Sequence, residues 1–104
     1  MSRKKHVNIA GKQYTIHRSN LDSVQAWGLC DAANTSIHIS ETLEETTKLP
    51  PEVIELHEIL HAILFETGLS ALLEDQIEES LVQGLALQLY NTGYRRTTRL
   101  KPLR

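Results

Sequence analysis

His57, Glu58 and His61 fall within five positions of one apolar run, IELHEILHAILFETGL. On a helix, residues four apart stand one turn apart on the same face, so the two imidazoles can aim at one point. Glu58 sits at the edge of that face. Two nitrogens at this spacing suit a divalent metal ion, and a carboxylate beside them suits a base that takes a proton from water. The surrounding Leu56, Ile59, Leu60, Ala62, Ile63, Leu64 and Phe65 are apolar. Burying three polar groups among them is costly unless something satisfies them, and a zinc ion would do so. The competing reading is an ordinary helix that carries two histidines.

A catalytic zinc site takes three protein ligands and one water. No histidine follows His61, so the third ligand must be a carboxylate. The helix should continue from His61 to about Thr67, rising roughly 9 Å, before a turn at Gly68. A second helix starting between Ser70 and Leu73 would descend roughly 8–13 Å by Glu78 or Glu79, back to the level of His61. Glu66 and Glu74 stay near the turn. Burial in the Leu81/Leu85/Leu89 face favours Glu78. Access at the edge beside Val82 and Ala86 favours Glu79. Spacing leaves that choice open.

The elements that must hold these residues change character midway. HVNIAGKQYTIHR alternates Val7, Ile9 and then Tyr14, Ile16 around Ala10-Gly11, the pattern of a β-hairpin. LDSVQAW predicts a helical turn capped by Asn20 or Asp22. GLCDAANTSIHIS predicts a second hairpin, with Leu29 on one strand, Ile37 and Ile39 on the next, and DAANT as the turn. In PPEVIELHEILHAILFETG the prolines suit a first helical turn and Gly68 a stop. A second long helix is expected from about Leu73 to Tyr90, burying Ile77, Leu81, Val82, Leu85 and Leu89. Gly84 inside it would let another backbone come close. The expected fold is α+β: a small antiparallel sheet of two hairpins, then two long helices.

With 104 residues the chain forms one domain, and its core is small enough that a metal or a partner would help stability. The net charge of −2 gives no overall field toward nucleic acid or anionic membrane. Basic residues gather at 1–5 and 95–104, expected to be solvated tails, around an acidic middle from Glu41 to Glu79. The last ten residues, RRTTRLKPLR, carry no aromatic side chain for base stacking, so nucleic-acid binding is disfavoured. No run is long enough for a bilayer, and MSRKKHVNIAG lacks the apolar core of a signal peptide. A single cysteine, Cys30, excludes an internal disulfide and suggests a reducing, cytoplasmic setting. Cys30 itself reads as a small buried apolar residue.

From GLCDAANTSIHIS through LPPEVIELHEILHAI to EESLVQGLALQLY, the chain resembles a minimal zinc metallopeptidase of the gluzincin type, such as bacteriophages and mobile elements encode. It is more distantly similar to the ImmA/IrrE group. The resemblance implies a zinc-dependent endopeptidase acting on a peptide or protein, in the host cytoplasm if phage-encoded. It makes His57 and His61 zinc ligands and Glu58 the general base. It points to Glu79 as the third ligand through Val82 and Leu85-Ala86 three and six residues on. It casts SIHIS as the edge strand that pairs with substrate; alternation turns His38 away from Ile37 and Ile39, as a surface strand residue and not a ligand. Tyr90, Tyr94, His17 and His38 are the candidates for stabilising an oxyanion. The alternative is a non-catalytic, zinc-stabilised accessory or interaction module that engages a partner protein.

Overall fold

A computed structural model describes residues 4–93. The architecture is α+β: a four-stranded sheet followed by helices. Strands β1 (Lys5–Ile9) and β2 (Lys12–Ser19) form the expected hairpin. Ala10 and Gly11 both take positive φ, 51° and 88°, as a two-residue turn matched to strand twist requires. The Asn8 side chain accepts a hydrogen bond from the Gly11 N–H at 3.0 Å and fixes that turn. A short helical turn at Asp22–Val24 follows, with the Asn20 side chain accepting from the Asp22 N–H at 2.9 Å. Strands β3 (Gly28–Asp31) and β4 (Ser36–Ser40) make the second hairpin.

The two hairpins join in a way local sequence did not indicate. The strand order is β1-β2-β4-β3, and β2 pairs with β4 in parallel, so the sheet is mixed and not antiparallel throughout. β4 is therefore an interior strand, and SIHIS is not an edge. β3 is the edge strand on that side. The cause is burial: Ile16, Ile37 and Ile39 must share one inner face with Tyr14 and Ile9, and inserting β4 beside β2 brings them together.

After the short helix α1 (Leu43–Thr46), α2 (Pro51–Glu66) lies across that inner face. Pro51 occupies its first turn, and Gly68, at φ 81°, takes the left-handed conformation beyond its last. Val53, Ile54, Ile59 and Ala62 are buried on it, and all but Val53 join the sheet residues and Leu43 in the core. Lys5, expected in a solvated tail, instead opens β1 and pairs with the buried Glu55 of α2 at 3.0 Å. Of the other tail positions, Lys4 is exposed, and 1–3 and 95–104 lie outside the described residues, as does Tyr94.

A second tie runs from the hairpin to the far end of α2. The fully buried Tyr14 donates its hydroxyl to Glu66 at 2.6 Å, and Lys12 reaches the other oxygen at 3.2 Å. Burial, reinforced by Glu66, raises the Tyr14 pKa. The Tyr14 hydrogen bond holds the Glu66 carboxyl below its usual range, with Lys12 adding to it. A carboxylate whose pKa is depressed on folding adds stability above its unfolded pKa, about 4.3, and loses it as pH falls through the folded value. Tyr14→Phe is thus expected to melt earlier than wild type near pH 7, with the gap shrinking near pH 3. Thermal unfolding at both pH values measures it.

Helix α3 (Asp75–Asn91) returns along α2. Its buried face is narrower than expected. Only Val82 and Ala86 are buried, whereas Ile77, Leu81 and Leu85 are 53%, 42% and 43% exposed. α3 packs chiefly on the single helix α2, and one neighbour covers one stripe. A side chain at Gly84 would meet nothing within 4 Å, so this glycine admits no neighbouring backbone.

Candidate metal centre

Helix α2 presents His57, Glu58 and His61 toward α3 and the β3 edge. The His57 and His61 rings lie with centroids 4.9 Å apart and tilted by 58°. Their Nε2 atoms are 3.2 Å apart. Glu79 of α3 completes the group, with one carboxylate oxygen 2.8 Å from His57 Nε2 and the other 3.0 Å from His61 Nε2. His57, His61 and Glu79 thus offer ligand atoms that all lie within 4.8 Å of one another and could hold a metal ion. The donor set fits: two nitrogens bound tetrahedrally at 2.0–2.1 Å stand about 3.3 Å apart, close to the separation found here.

Glu78 and Glu79 have different places. Glu78 does not join the two Nε2 atoms. It lies behind His61 and accepts from Nδ1 at 2.6 Å. The Glu78 side chain is 15% exposed and that of Glu79 is 60% exposed, so the carboxylate facing the candidate centre is also the one open to solvent. Burial pushes the Glu78 carboxyl up, but hydrogen bonds from Ser70 and His61 outweigh that and hold its pKa below the usual value.

Gln83, which sequence reasoning did not single out, does for His57 what Glu78 does for His61. Its side-chain oxygen lies 2.7 Å from His57 Nδ1. A proton on each Nδ1 leaves each Nε2 with a free lone pair, the tautomer a metal needs. The signal was present in the spacing, since Gln83 stands four residues from Glu79 on the same helix face. Gln83→Leu and Glu78→Gln are each expected to weaken metal binding about 10- to 100-fold without removing a ligand. Competition against a chromophoric chelator reads this out.

Glu58 is 7% exposed and does not belong to the group formed by His57, His61 and Glu79. Burial raises its pKa, and Glu79 adds to this, while His57 and His61 pull the other way. Space for it comes from β3. A Cβ built on Gly28 would lie 2.8 Å from a Glu58 carboxylate oxygen and 2.9 Å from its Cγ. A cleft of about 350 Å³ opens here, lined by Ala26, Trp27, Gly28 and Ile54 together with His57, Glu58, Glu79 and Gln83. Trp27 is 43% exposed beside it.

Other expected residues lie elsewhere. His17 and His38 occupy the outer face of the sheet, away from α2, so neither can face a group held at this centre. His38 does turn away from the buried Ile37 and Ile39, as alternation requires. Tyr90 is eleven residues beyond Glu79 on α3, roughly 16 Å along the helix. Cys30 is half-buried against the core, and burial, then Glu58, pushes its thiol up to about 12, so it is not a nucleophile at neutral pH. Among the described residues no helix is long and apolar enough to cross a membrane. No family model, curated protein or solved structure matches the chain.

Proposed function

We propose that this chain is a zinc-dependent peptide hydrolase of the gluzincin type. The observation that carries the reading is the convergence of His57 Nε2, His61 Nε2 and the Glu79 carboxylate, with Glu58 lining the same cleft. A binding or structural site has no use for that fourth, buried carboxylate. Two imidazoles and one carboxylate suit zinc and leave a position open, as catalytic sites do. Bound there, zinc supplies Lewis acidity toward a peptide carbonyl and acidifies a water ligand.

The chain's own residues supply the rest. Gln83 and Glu78 hold the two imidazoles in register through their Nδ1 atoms. Glu58 accepts the proton from the attacking water on its carboxylate and returns it to the leaving amine. β3, as the free edge, takes an extended peptide as an added strand, with Trp27 and Ile54 offering an apolar surface for one of its side chains. Trp27 spends part of its backbone on the sheet, since its carbonyl accepts from the Ser40 N–H at 2.8 Å. Zinc-loaded protein is expected to cleave extended peptides with an apolar residue next to the scissile bond, and a chelator is expected to stop it. Gly28→Ala tests the placement of Glu58: kcat/KM is expected to fall about tenfold to a hundredfold, with zinc content unchanged.

The outward Ile77, Leu81 and Leu85 of α3 favour a second reading, a zinc-stabilised module that docks a partner protein. In that case Glu58→Gln would have no peptide cleavage to remove, and its zinc content and partner binding would match wild type.

A further inference from the structure

The face of the sheet away from α2 carries a second pair of imidazoles. His17 on β2 and His38 on β4 are direct partners in the parallel register. Neighbouring strands lie about 4.8 Å apart, so partnered side chains on one face stand side by side. The two ring centroids are 4.3 Å apart and the planes are tilted by 41°. Both Nε2 atoms converge on a single oxygen, Ser36 Oγ, at 3.2 Å from His17 and 3.1 Å from His38. Ser19 Oγ lies 2.8 Å from His38 Nδ1. A proton on that Nδ1, donated to Ser19, leaves the His38 Nε2 lone pair facing the same point as His17.

The surroundings keep the pair ready to bind. Burial lowers the His17 pKa, with His38 and Lys4 adding to it. Asp31 stands opposite Ser36 on β3, an acidic neighbour on the same face, with its carboxylate held by Asn34 at 2.9 Å. Ser36 can donate to one Nε2 and accept from the other; with both rings in the Nδ1–H tautomer the two Nε2 lone pairs face one point, where a cation would take both.

We propose that His17 and His38 form a second, independent site for a borderline divalent transition metal such as zinc, nickel or copper, held through both Nε2 atoms with water completing its shell. Imidazole prefers metals of this class. Metal–nitrogen bonds of 2.0–2.1 Å are shorter than the present contacts to Ser36, so each ring closes by roughly 1 Å and the serine hydroxyl swings aside. Two protein ligands hold a metal less tightly than three, so this site fills after the one at His57, His61 and Glu79. It shares no residue with that centre.

Calorimetric titration of the full chain with zinc chloride tests this, alongside imidazole NMR spectra of wild type. The expected result is a tighter and a weaker event in wild type. The double substitution His17→Gln, His38→Gln is expected to remove only the weaker one, and His57→Ala only the tighter one. His6→Gln, on the same sheet face, leaves both. Should the double variant not fold, the wild-type spectra decide: the His17 and His38 ring signals must move during the weaker event. A weaker event that survives the double substitution, or ring signals of His17 and His38 that stay still, overturns the proposal. Loss of the tighter event alone from wild type would count against the hydrolase reading and leave this one standing.

Discussion

Glu58→Gln is expected to keep its fold and its zinc while losing peptide cleavage. The substitution preserves the size of the side chain beside Gly28 and removes only its ability to take a proton. Glu58 does not belong to the group formed by His57, His61 and Glu79, so metal content should not change. General-base catalysis is worth about 10²–10⁴ in rate, and kcat should fall by at least that order with KM little altered. The measurement is cleavage of a quenched fluorogenic peptide, with zinc per chain determined on the same sample. If Glu58→Gln lost zinc, the division of labour between Glu58 and Glu79 would be wrong.

His57→Ala carries the second large effect, and it concerns stability. α3 is held to α2 by a narrow stripe, Val82 and Ala86, while its Ile77, Leu81 and Leu85 face outward. A metal bridging His57 and His61 of α2 to Glu79 of α3 would add a further tie to the Gln83–His57 and Glu78–His61 hydrogen bonds between these helices. Binding to the folded state alone stabilises by about 4 kcal/mol at a thousandfold excess over Kd, or roughly 15 °C or more in Tm for a domain of this size. Wild type is therefore expected to gain that increment on addition of zinc, and His57→Ala to gain only the smaller part that the weaker His17/His38 site supplies. Differential scanning calorimetry with and without zinc makes the comparison. An equal gain in His57→Ala would place the stabilising ion somewhere else, and the His17/His38 pair would be the place to look.

The helices and the heart of the candidate site were legible because their signals are local. Pro51, Gly68 and the spacing of His57 and His61 need no knowledge of the rest of the chain. The return of α3 to the level of His61 followed from the rise per residue alone. Both hairpins could be read for the same reason, from Ala10-Gly11 and DAANT. The parallel pairing of β2 with β4 could not, because it depends on which faces of two separate hairpins are buried together. The mistaken edge assignment of SIHIS followed from that.

The outward face of α3 escapes sequence patterning on a related ground. Periodicity shows that Ile77, Leu81 and Leu85 share a face, but it does not say whether a second layer exists to cover them. The choice between Glu78 and Glu79 was open because adjacent helix positions are 100° apart and a wheel offers reasons for each. The geometry gives both a place: Glu79 at the Nε2 atoms, Glu78 at the Nδ1 atom of His61. Gln83 belongs to the same pattern. A motif search looks for ligands and passes over the residues that aim them.

The most direct measurement is zinc per chain, after reloading and desalting, for wild type, Glu78→Gln and Glu79→Gln. The expected result is one tightly held zinc in wild type, one held more weakly in Glu78→Gln, and none retained in Glu79→Gln. Folded wild type that retains no zinc, or Glu79→Gln that retains it as wild type does, would contradict a metal centre built from His57, His61 and Glu79.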